Sequence, residues 1–379
     1  MLNTYDVIVT GAGPAGSVAA RDLARAGARV ALVDGSHPRE KPCGGGVTGR
    51  ALQLVGAALP AGDGQPIDAV TFEAGARRAR VSLPDPGYLR VFSRDTFDRL
   101  LLRQAVDAGA THVASRVGSL ARAGSRWEID AGGQSLSAPW LLGADGPAGV
   151  VRKQVFRPFE RRQLSIAAGS YVDGVDTGEI VIGFIDRPRG YLWSFPRAGH
   201  LAVGTCAQAN ETTAAEMHAV TDRWLDGYAP AAGRPRRRYA WPIPSLETRD
   251  VDAEEPAGDG WMLLGDAAGL VDPITREGIF FALRSGMLAA SSLTSGSPGR
   301  AYRDAVRDEL HDELRRAARL KAGFFRPRFT SMLVDALTQS AGIRHVMLDL
   351  VAGRQPYRGL KRRLLATMEV GLMWRVLTT

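Results

Sequence analysis

The chain has 379 residues, of which 45% are apolar and 23% charged. That size predicts two intertwined domains plus an appendage, and that composition excludes extensive disorder. Its 48 basic and 40 acidic residues leave a net charge of +8. Such a balance suits phosphorylated ligands, anionic lipid or plain solubility, but no basic stretch is interleaved with aromatics, so nucleic acid is not an expected partner. Cys43 and Cys206 alone build neither a disulfide framework nor a zinc site, and the scattered histidines, His37 and His200 among them, show no ligand spacing, so no metal is expected. The first residues read as a strand rather than a signal peptide, and no apolar run reaches the roughly 18 residues of a membrane span. A cytoplasmic protein is expected, with any membrane contact peripheral.

Residues 5–10 form a short β-branched run bounded by glycine, the mark of a buried parallel strand. Ser17–Ala26 favours helix and stops at Gly27, and Ala28–Val33 is a second apolar run ending at Asp34. Together these make one βαβ unit. Residues 66–92 alternate as strands, with Val70, Phe72, Val81 and Leu83 on one face, so the chain leaves the first domain there. It returns in a helix over Ser93–Ala108 that carries Phe97, Leu100, Leu101 and Ala105. Residues 112–145 read as strands, and 161–246 as short strands with one helix near Thr213–Tyr228. Residues 261–294 return to strand, loop and helix, and everything from Gly299 onward is helical. The expected fold is therefore α/β plus α+β. A Rossmann-type dinucleotide-binding domain (1–70, 93–160 and 247–298) is twice interrupted by a discontinuous antiparallel-sheet substrate domain (71–92 and 161–246), and a C-terminal helical region (299–379) follows.

Gly11-Ala-Gly13-Pro14-Ala15-Gly16 lies between the first strand and the first helix. Gly11 allows the tight turn, Gly13 lets backbone approach a pyrophosphate, Gly16 permits close helix packing, and the helix N-terminus favours the phosphate charge. Asp34, followed by Gly35, stands at the end of the second strand, where a carboxylate accepts hydrogen bonds from ribose hydroxyls. Two more strand-end loops follow, Gly143-Ala-Asp145-Gly146 with Arg152 beyond it, and Leu264-Gly265-Asp266-Ala-Ala-Gly269 ahead of a helix. A nicotinamide-only domain has no reason to close with a second acidic loop, so the three loops in this order point to FAD. Asp266 suits the ribityl chain, and the helix start beyond it suits negative charge on the reduced ring.

With these motifs the chain resembles the FAD-dependent flavoproteins of the p-hydroxybenzoate hydroxylase-like fold and, more narrowly, the geranylgeranyl reductase family. The narrower resemblance rests on Lys41-Pro42-Cys43-Gly44-Gly45-Gly46-Val47, similar to a P-C-G-G-G signature, and on Tyr191-Leu-Trp193-Ser-Phe195-Pro196 followed by Gly204, similar to Y-x-W-x-F-P. Arg94-Asp95-x-Phe97-Asp98 matches an R-x-x-F-D element whose arginine lies by the cofactor. One departure stands out: Pro273-Ile-Thr-Arg276-Glu-Gly278, followed by Ile279, puts arginine where P-x-x-G-x-G has its first glycine.

The resemblance implies that Gly11, Gly13, Pro14, Ala15, Gly16, Asp34, Gly35, Cys43, Gly44, Gly45, Gly46, Arg94, Asp145, Gly146, Gly265, Asp266, Gly278 and Ile279 hold FAD. It also implies that Cys43, Gly44 and Gly45 line the reacting centre and that Tyr191, Trp193, Phe195, Pro196 and Arg276 meet the substrate. Read from the residues themselves, the glycine run suits a flat ring or an unusual turn. Tyr191, Trp193 and Phe195 alternate on a strand and share a face, an aromatic wall fit for a hydrocarbon. The implied reaction is reduction of carbon–carbon double bonds in a prenyl chain by hydride from N5 of reduced flavin, with NADPH or a redox partner such as ferredoxin as donor. The rival is an aromatic-hydroxylase-type monooxygenase acting on a hydrophobic small molecule. The basic runs Arg234-Pro-Arg236-Arg237-Arg238 and Lys361-Arg362-Arg363 read either as sites for a diphosphate or phospholipid head or as solvated faces. The apolar face with Met347, Leu348, Leu350 and Val351 reads as core, tunnel lining or bilayer contact.

Overall fold

A computed structural model describes residues 2–55, 64–84 and 89–367. Parts of the expected segments 1–70, 71–92 and 299–379 thus lie outside the described residues. A six-stranded sheet forms the first layer, in the order Ala257–Gly258, Trp261–Leu263, Trp140–Gly143, Val7–Thr10, Val30–Val33, Thr111–Val113. All its pairings are parallel except that of the short edge strand Ala257–Gly258. Strands Val7–Thr10 and Val30–Val33 are buried along their whole length, as a parallel sheet covered on both faces requires. The helices Pro14–Arg25, Arg94–Asp107 and Ile279–Ser292 pack against one another on it. A Cβ on Gly286 would stand 2.4 Å from the Ala15 carbonyl oxygen, so glycine there sets how closely the first and last of these helices approach. In helix Arg94–Asp107 the buried face carries Phe97, Leu101, Leu102 and Ala105, with Leu102 rather than Leu100 turned inward.

The second large sheet has seven strands, in the order Arg236–Pro244, Leu164–Asp173, His200–Gln208, Gly190–Arg197, Glu179–Ile185, Ala69–Ala74, Arg77–Ser82. It is antiparallel apart from one pairing: Glu179–Ile185 runs parallel to Ala69–Ala74. That pairing is where the two excursions of the chain meet, and two strands arriving from separate crossovers have no hairpin to force them antiparallel. Smaller sheets flank these two, one of four strands built from Leu2–Thr4 and residues 117–138, the other of three strands joining Gly46–Thr48, Leu89–Val91 and Gln65–Pro66.

The C-terminal helices do not form a unit of their own. Tyr302, Val306, Leu310 and Leu314 belong to the core of the parallel sheet, whereas Leu333, Val334, Leu337, Met347 and Leu348 close the far face of the seven-stranded sheet over Val70, Phe72 and Val81. The apolar side of helix Ala341–Val351 is thereby turned inward. No helix among the described residues is long and apolar enough to cross a membrane.

Arg152, fully buried, binds Glu254 through both terminal nitrogens at 2.6 and 3.0 Å, donates to the Ala267 carbonyl at 2.9 Å and lies 3.5 Å from the centre of the Phe159 ring. It ties the loop after Gly143 to the turn Gly265–Ala268. Arg152→Met leaves Glu254 as an uncompensated buried charge and is expected to lower unfolding free energy by about 3–5 kcal/mol, while Arg152→Met with Glu254→Leu recovers most of that loss. Urea denaturation of the three proteins checks this.

Candidate functional site

The glycine loop has one open position and two filled ones. Gly11, at φ +94°, could carry no side chain, because a Cβ would stand 2.4 Å from the Ala144 carbonyl oxygen, and a Cβ on Gly16 would stand 1.9 Å from the Gly11 oxygen. Gly16 therefore seats the helix against its own entering turn. Above Gly13 there is space: a Cβ would meet only His37 Nε2, at 3.8 Å. Gly13 caps helix Pro14–Arg25 without any side-chain hydrogen bond to the first turn, and Pro14 has no N–H to orphan. The first-turn amides have no side-chain cap, and uncapped amides at a helix start are the donor set a pyrophosphate requires.

Asp34 is already crowded with donors. Its carboxylate accepts from the backbone N–H of Ala12, Ser36 and His37, from Ser36 Oγ, and from His37 Nδ1 at 2.8 Å. A ribose hydroxyl would have to take the place of Ser36 Oγ or His37. Burial opposes charge here, but the His37 hydrogen bond and charge, with the Ala12 and Ser36 amides, hold the Asp34 carboxyl well below the usual carboxylate range. The other ring nitrogen of His37 lies 3.3 Å from Asp98, and Asp98 receives both the Nε and Nη2 of Arg94, at 2.9 and 2.7 Å. Burial disfavours the imidazolium, yet Asp34 and Asp98 raise the His37 pKa above its ordinary value. Burial likewise opposes Arg94, and Asp98 holds it charged. A continuous series thus runs from Asp34 through His37 and Asp98 to Arg94. His37, which sequence spacing treats as a surface or structural residue, is one of its two inner members.

Cys43, Gly44, Gly45 and Gly46 lie on the wall of a cavity of about 230 Å³, together with Pro14, Arg94, Asp266, Gly278 and Ile279 on one side and Tyr191, Trp193, Phe195 and Arg276 on the other. Added Cβ atoms on Gly44 and Gly46 would meet the Phe195 ring at 3.2 and 2.9 Å. The flat ring against the glycine run is therefore, on one side, a phenylalanine of the other sheet. A Cβ on Gly204 would stand 2.5 Å from the Trp193 indole, so that glycine exists to seat the aromatic wall.

Three contacts bind the loops to one another. Arg197, fully buried at the end of the aromatic strand, donates to the carbonyl oxygens of Cys43 and Gly44 and pairs with Glu40. Lys41 reaches Asp266 at 3.6 Å. Glu277 receives Thr48 Oγ1 and Arg50. Arg197, Glu277, Thr48 and Lys41 carry no motif of their own as site residues. The one hint is position, since Arg197 directly follows Pro196 of the aromatic signature and Lys41 directly precedes Pro42.

Arg276 is the one non-glycine among the described residues with positive φ, +59°. The arginine thus occupies a left-handed backbone position that glycine adopts without strain, and its side chain folds back to the Pro273 carbonyl at the cavity wall. Other expected residues sit elsewhere. Asp145 accepts from Val151 N–H at 3.1 Å at the start of helix Val150–Val155, with its second oxygen buried and unpartnered, rather than on the cavity wall. Gly146 follows it at φ +81°. Gly35 packs on the Ser115–Arg116 backbone, Gly265 packs on Ala15 and Ala282, and Pro196 pairs with Leu201 away from the cavity.

A raised His37 pKa means stability present below pH 6.5 and lost as pH rises through the folded value. Urea unfolding from pH 6 to 9 should show wild type losing stability relative to His37→Gln as pH rises above 6.5. Parallel curves would show that His37 carries no charge between its two carboxylates.

Comparison with known proteins places this geometry. Residues 4–319 match the family model described as an FAD binding domain. The chain is 30% identical over 328 residues to the menaquinone reductase of Mycolicibacterium smegmatis, covering 77% of this chain and 76% of that protein. It is 30% identical over 357 residues to the digeranylgeranylglycerophospholipid reductase of Methanothrix thermoacetophila, covering 85% and 88%. Among solved structures, a geranylgeranyl bacteriochlorophyll reductase-like protein from Thermoplasma acidophilum shares the fold, with a TM-score of 0.80 at 22% identity over 97% of this chain and 100% of that one. A dinucleotide loop with an open phosphate position, a glycine run under an aromatic wall and these relatives lead to one conclusion: the chain belongs to the geranylgeranyl reductase family of FAD-dependent oxidoreductases.

Proposed function

We propose that this protein reduces carbon–carbon double bonds in a prenyl chain. The observation that carries this reading is the continuity of the glycine run Cys43–Gly46 with the apolar wall of Tyr191, Trp193, Phe195, Phe184 and Phe324 in one cavity. A hydrocarbon has nothing to offer a binding site except buried area, worth roughly 25 cal/mol per Å², and this wall supplies it. The names of the two curated relatives, a menaquinone reductase and a digeranylgeranylglycerophospholipid reductase, both denote molecules with isoprenoid chains.

FAD, when bound and reduced, supplies the hydride for such a reaction. The residues present fit that group: the amides after Gly13 for the pyrophosphate, Asp266 with Lys41 beside the cavity, and the glycine run where a ring must lie close to backbone. The aromatic wall excludes water from the reacting carbons. A proton must reach the second carbon, and Tyr191 and Cys43 on the cavity wall are the groups to weigh as its source. Tyr191 donates to the Thr275 carbonyl at 3.0 Å and burial pushes its hydroxyl well above the usual phenol range, so it keeps its proton. Cys43 Sγ, which accepts from Gly45 N–H at 3.3 Å beside Arg94, is the proposed donor. NADPH or a ferredoxin is the proposed source of electrons, and the proposed setting is the cytoplasm, with peripheral contact to lipid.

The test is anaerobic. Dithionite-reduced holoprotein incubated with a geranylgeranyl substrate should yield products heavier by two hydrogens per bond, read by mass spectrometry. A product gaining oxygen, formed only in air, would overturn the reading in favour of a monooxygenase. Cys43→Ala should keep its flavin and lose roughly 100-fold or more in kcat, the usual contribution of a positioned acid. Arg276→Gly relieves the left-handed arginine and should raise unfolding free energy by about 1 kcal/mol, measured by thermal denaturation. A drop in stability would mean that the arginine's contacts outweigh its backbone strain.

A further inference from the structure

The His37 ring is bound on one side only. Its Nδ1 meets the Asp34 carboxylate at 2.8 Å. Its Nε2, in a side chain 10% exposed, stands 3.3 Å from an Asp98 oxygen yet makes no hydrogen bond among the described residues. Asp98 does not need that donor, because its two oxygens already receive Arg94, one from Nε at 2.9 Å and one from Nη2 at 2.7 Å. Buried polar groups are almost always hydrogen-bonded, so an imidazole nitrogen left over in such a place calls for a partner from outside the chain.

The direction of that nitrogen is informative. It lies 3.8 Å from where a Cβ of Gly13 would stand, over the loop position left open for a pyrophosphate. Residues Gly11–Gly16 include no basic side chain, so the loop itself offers a diphosphate only backbone amides. Two carboxylates, Asp34 and Asp98, stand close by and would repel it, and the charge of Arg94 is taken up by Asp98. The imidazolium between them is the cation placed to offset that repulsion. Room for a ribose exists without moving it. On Asp34, Oδ2 holds Ala12 N–H and His37 Nδ1, whereas Oδ1 holds Ser36 Oγ beside the Ser36 and His37 amides. A hydroxyl that replaces Ser36 Oγ leaves the ring in place.

We propose that His37 is a diphosphate-binding residue of the FAD site: its imidazolium keeps Asp34 through Nδ1 and donates Nε2–H to the pyrophosphate above Gly13. The inference rests on FAD binding and stands apart from the prenyl reading. One side chain then serves the ribose, by orienting Asp34, and the diphosphate directly. It also ties cofactor retention to pH. A neutral ring that spends its proton on Asp34 turns a lone pair toward the phosphate oxygens. Affinity for FAD therefore falls as pH rises above 6.5 and the imidazolium is lost. The charged groups facing the ring are Asp34 at the strand end and Asp98 with Arg94 on the helix. Burial opposes the charge on both carboxylates, but His37 beside Asp34 and Arg94 beside Asp98 hold them below the usual range, so they stay ionised across pH 6 to 9. His112, on the edge strand, reaches the Asp34 carbonyl at 3.1 Å and is the other imidazole nearby.

The experiment follows FAD release from the loaded full-length protein rather than turnover. Holoprotein is diluted into buffers from pH 6 to 9, and free FAD is read by its fluorescence. Wild type should hold FAD roughly tenfold or more tightly at pH 6 than at pH 9, the worth of one charge-assisted hydrogen bond. His37→Asn keeps a donor near the Nδ1 position for Asp34 but has nothing at Nε2. It should bind FAD roughly tenfold or more weakly than wild type at pH 6, with a flat pH profile. His37→Gln reaches toward the Nε2 position without charge and should also give a flat profile. His112→Gln should keep the wild-type slope.

Phosphorus NMR of the bound cofactor reads the contact itself. The diphosphate of free FAD stays fully ionised over this range and supplies the reference. In wild type its bound resonances should shift as His37 titrates, and in His37→Asn they should stand still. Wild-type affinity and an unaltered pH profile in His37→Asn would overturn the proposal, since the ring would then serve Asp34 alone. Resonances that still titrate in that variant, or a slope that disappears with His112→Gln, would overturn it by assigning the proton elsewhere. Should His37→Asn fail to fold, wild type decides the matter: diphosphate resonances that do not move between pH 6 and 9 sink the assignment. None of these outcomes bears on which substrate the protein reduces.

Discussion

Arg197, itself fully buried, crosses from the seven-stranded sheet to the loop at Cys43 and Gly44, donates to two backbone carbonyls there and meets the Glu40 carboxylate. A buried guanidinium is tolerated only where its donors are matched, so the loop has to run where Arg197 can reach it. Gly45 at φ +82° is the consequence: a Cβ would stand 2.2 Å from the Phe92 carbonyl oxygen and 3.0 Å from Arg197 Nε. With this seam fixed, the glycine run faces Phe195, Lys41 reaches Asp266, and both sheets contribute walls to one cavity.

The charged series from Asp34 to Arg94 gives the site a second kind of order. Alternating carboxylate, imidazole, carboxylate and guanidinium keeps each charge partnered in a region where desolvation would expel any one of them alone. It also joins the two ends of the cofactor region: Asp34 stands beside the phosphate loop, while Arg94 and Cys43 belong to the cavity. A change at His37 should therefore be felt at both ends.

The C-terminal helices complete the chamber rather than decorate it. Phe324, Phe325, Met347, Leu350 and Val351 line the cavity beside the glycine run, so the part of the chain with the least distinctive sequence supplies the wall opposite the strongest signature. Their outer surfaces line a second hollow with cations, Arg319, Arg326 and Arg328 among them. One set of helices thus presents apolar surface inward and positive charge outward.

Much of this was legible in the residues. Glycine spacing between a β-branched run and an alanine-rich helix defines the dinucleotide loop, because only glycine fits the Gly11 and Gly16 positions. Period-two alternation puts Tyr191, Trp193 and Phe195 on one face regardless of what they face. Return of the strand pattern after each excursion foretells a discontinuous second sheet. Other features come from residues distant in sequence and are set only by tertiary contact. Arg197 gains its role from a loop 153 residues away, and His37 becomes an ion-pair bridge because a helix brings Asp98 alongside it. Asp145 turns to a helix start and away from the cavity, and of two similar basic runs one is neutralised while the other contributes Lys361 to an open hollow. Local pattern fixes backbone conformation and which face a side chain takes. Which charge meets which is decided by three-dimensional proximity, which no spacing in the chain encodes.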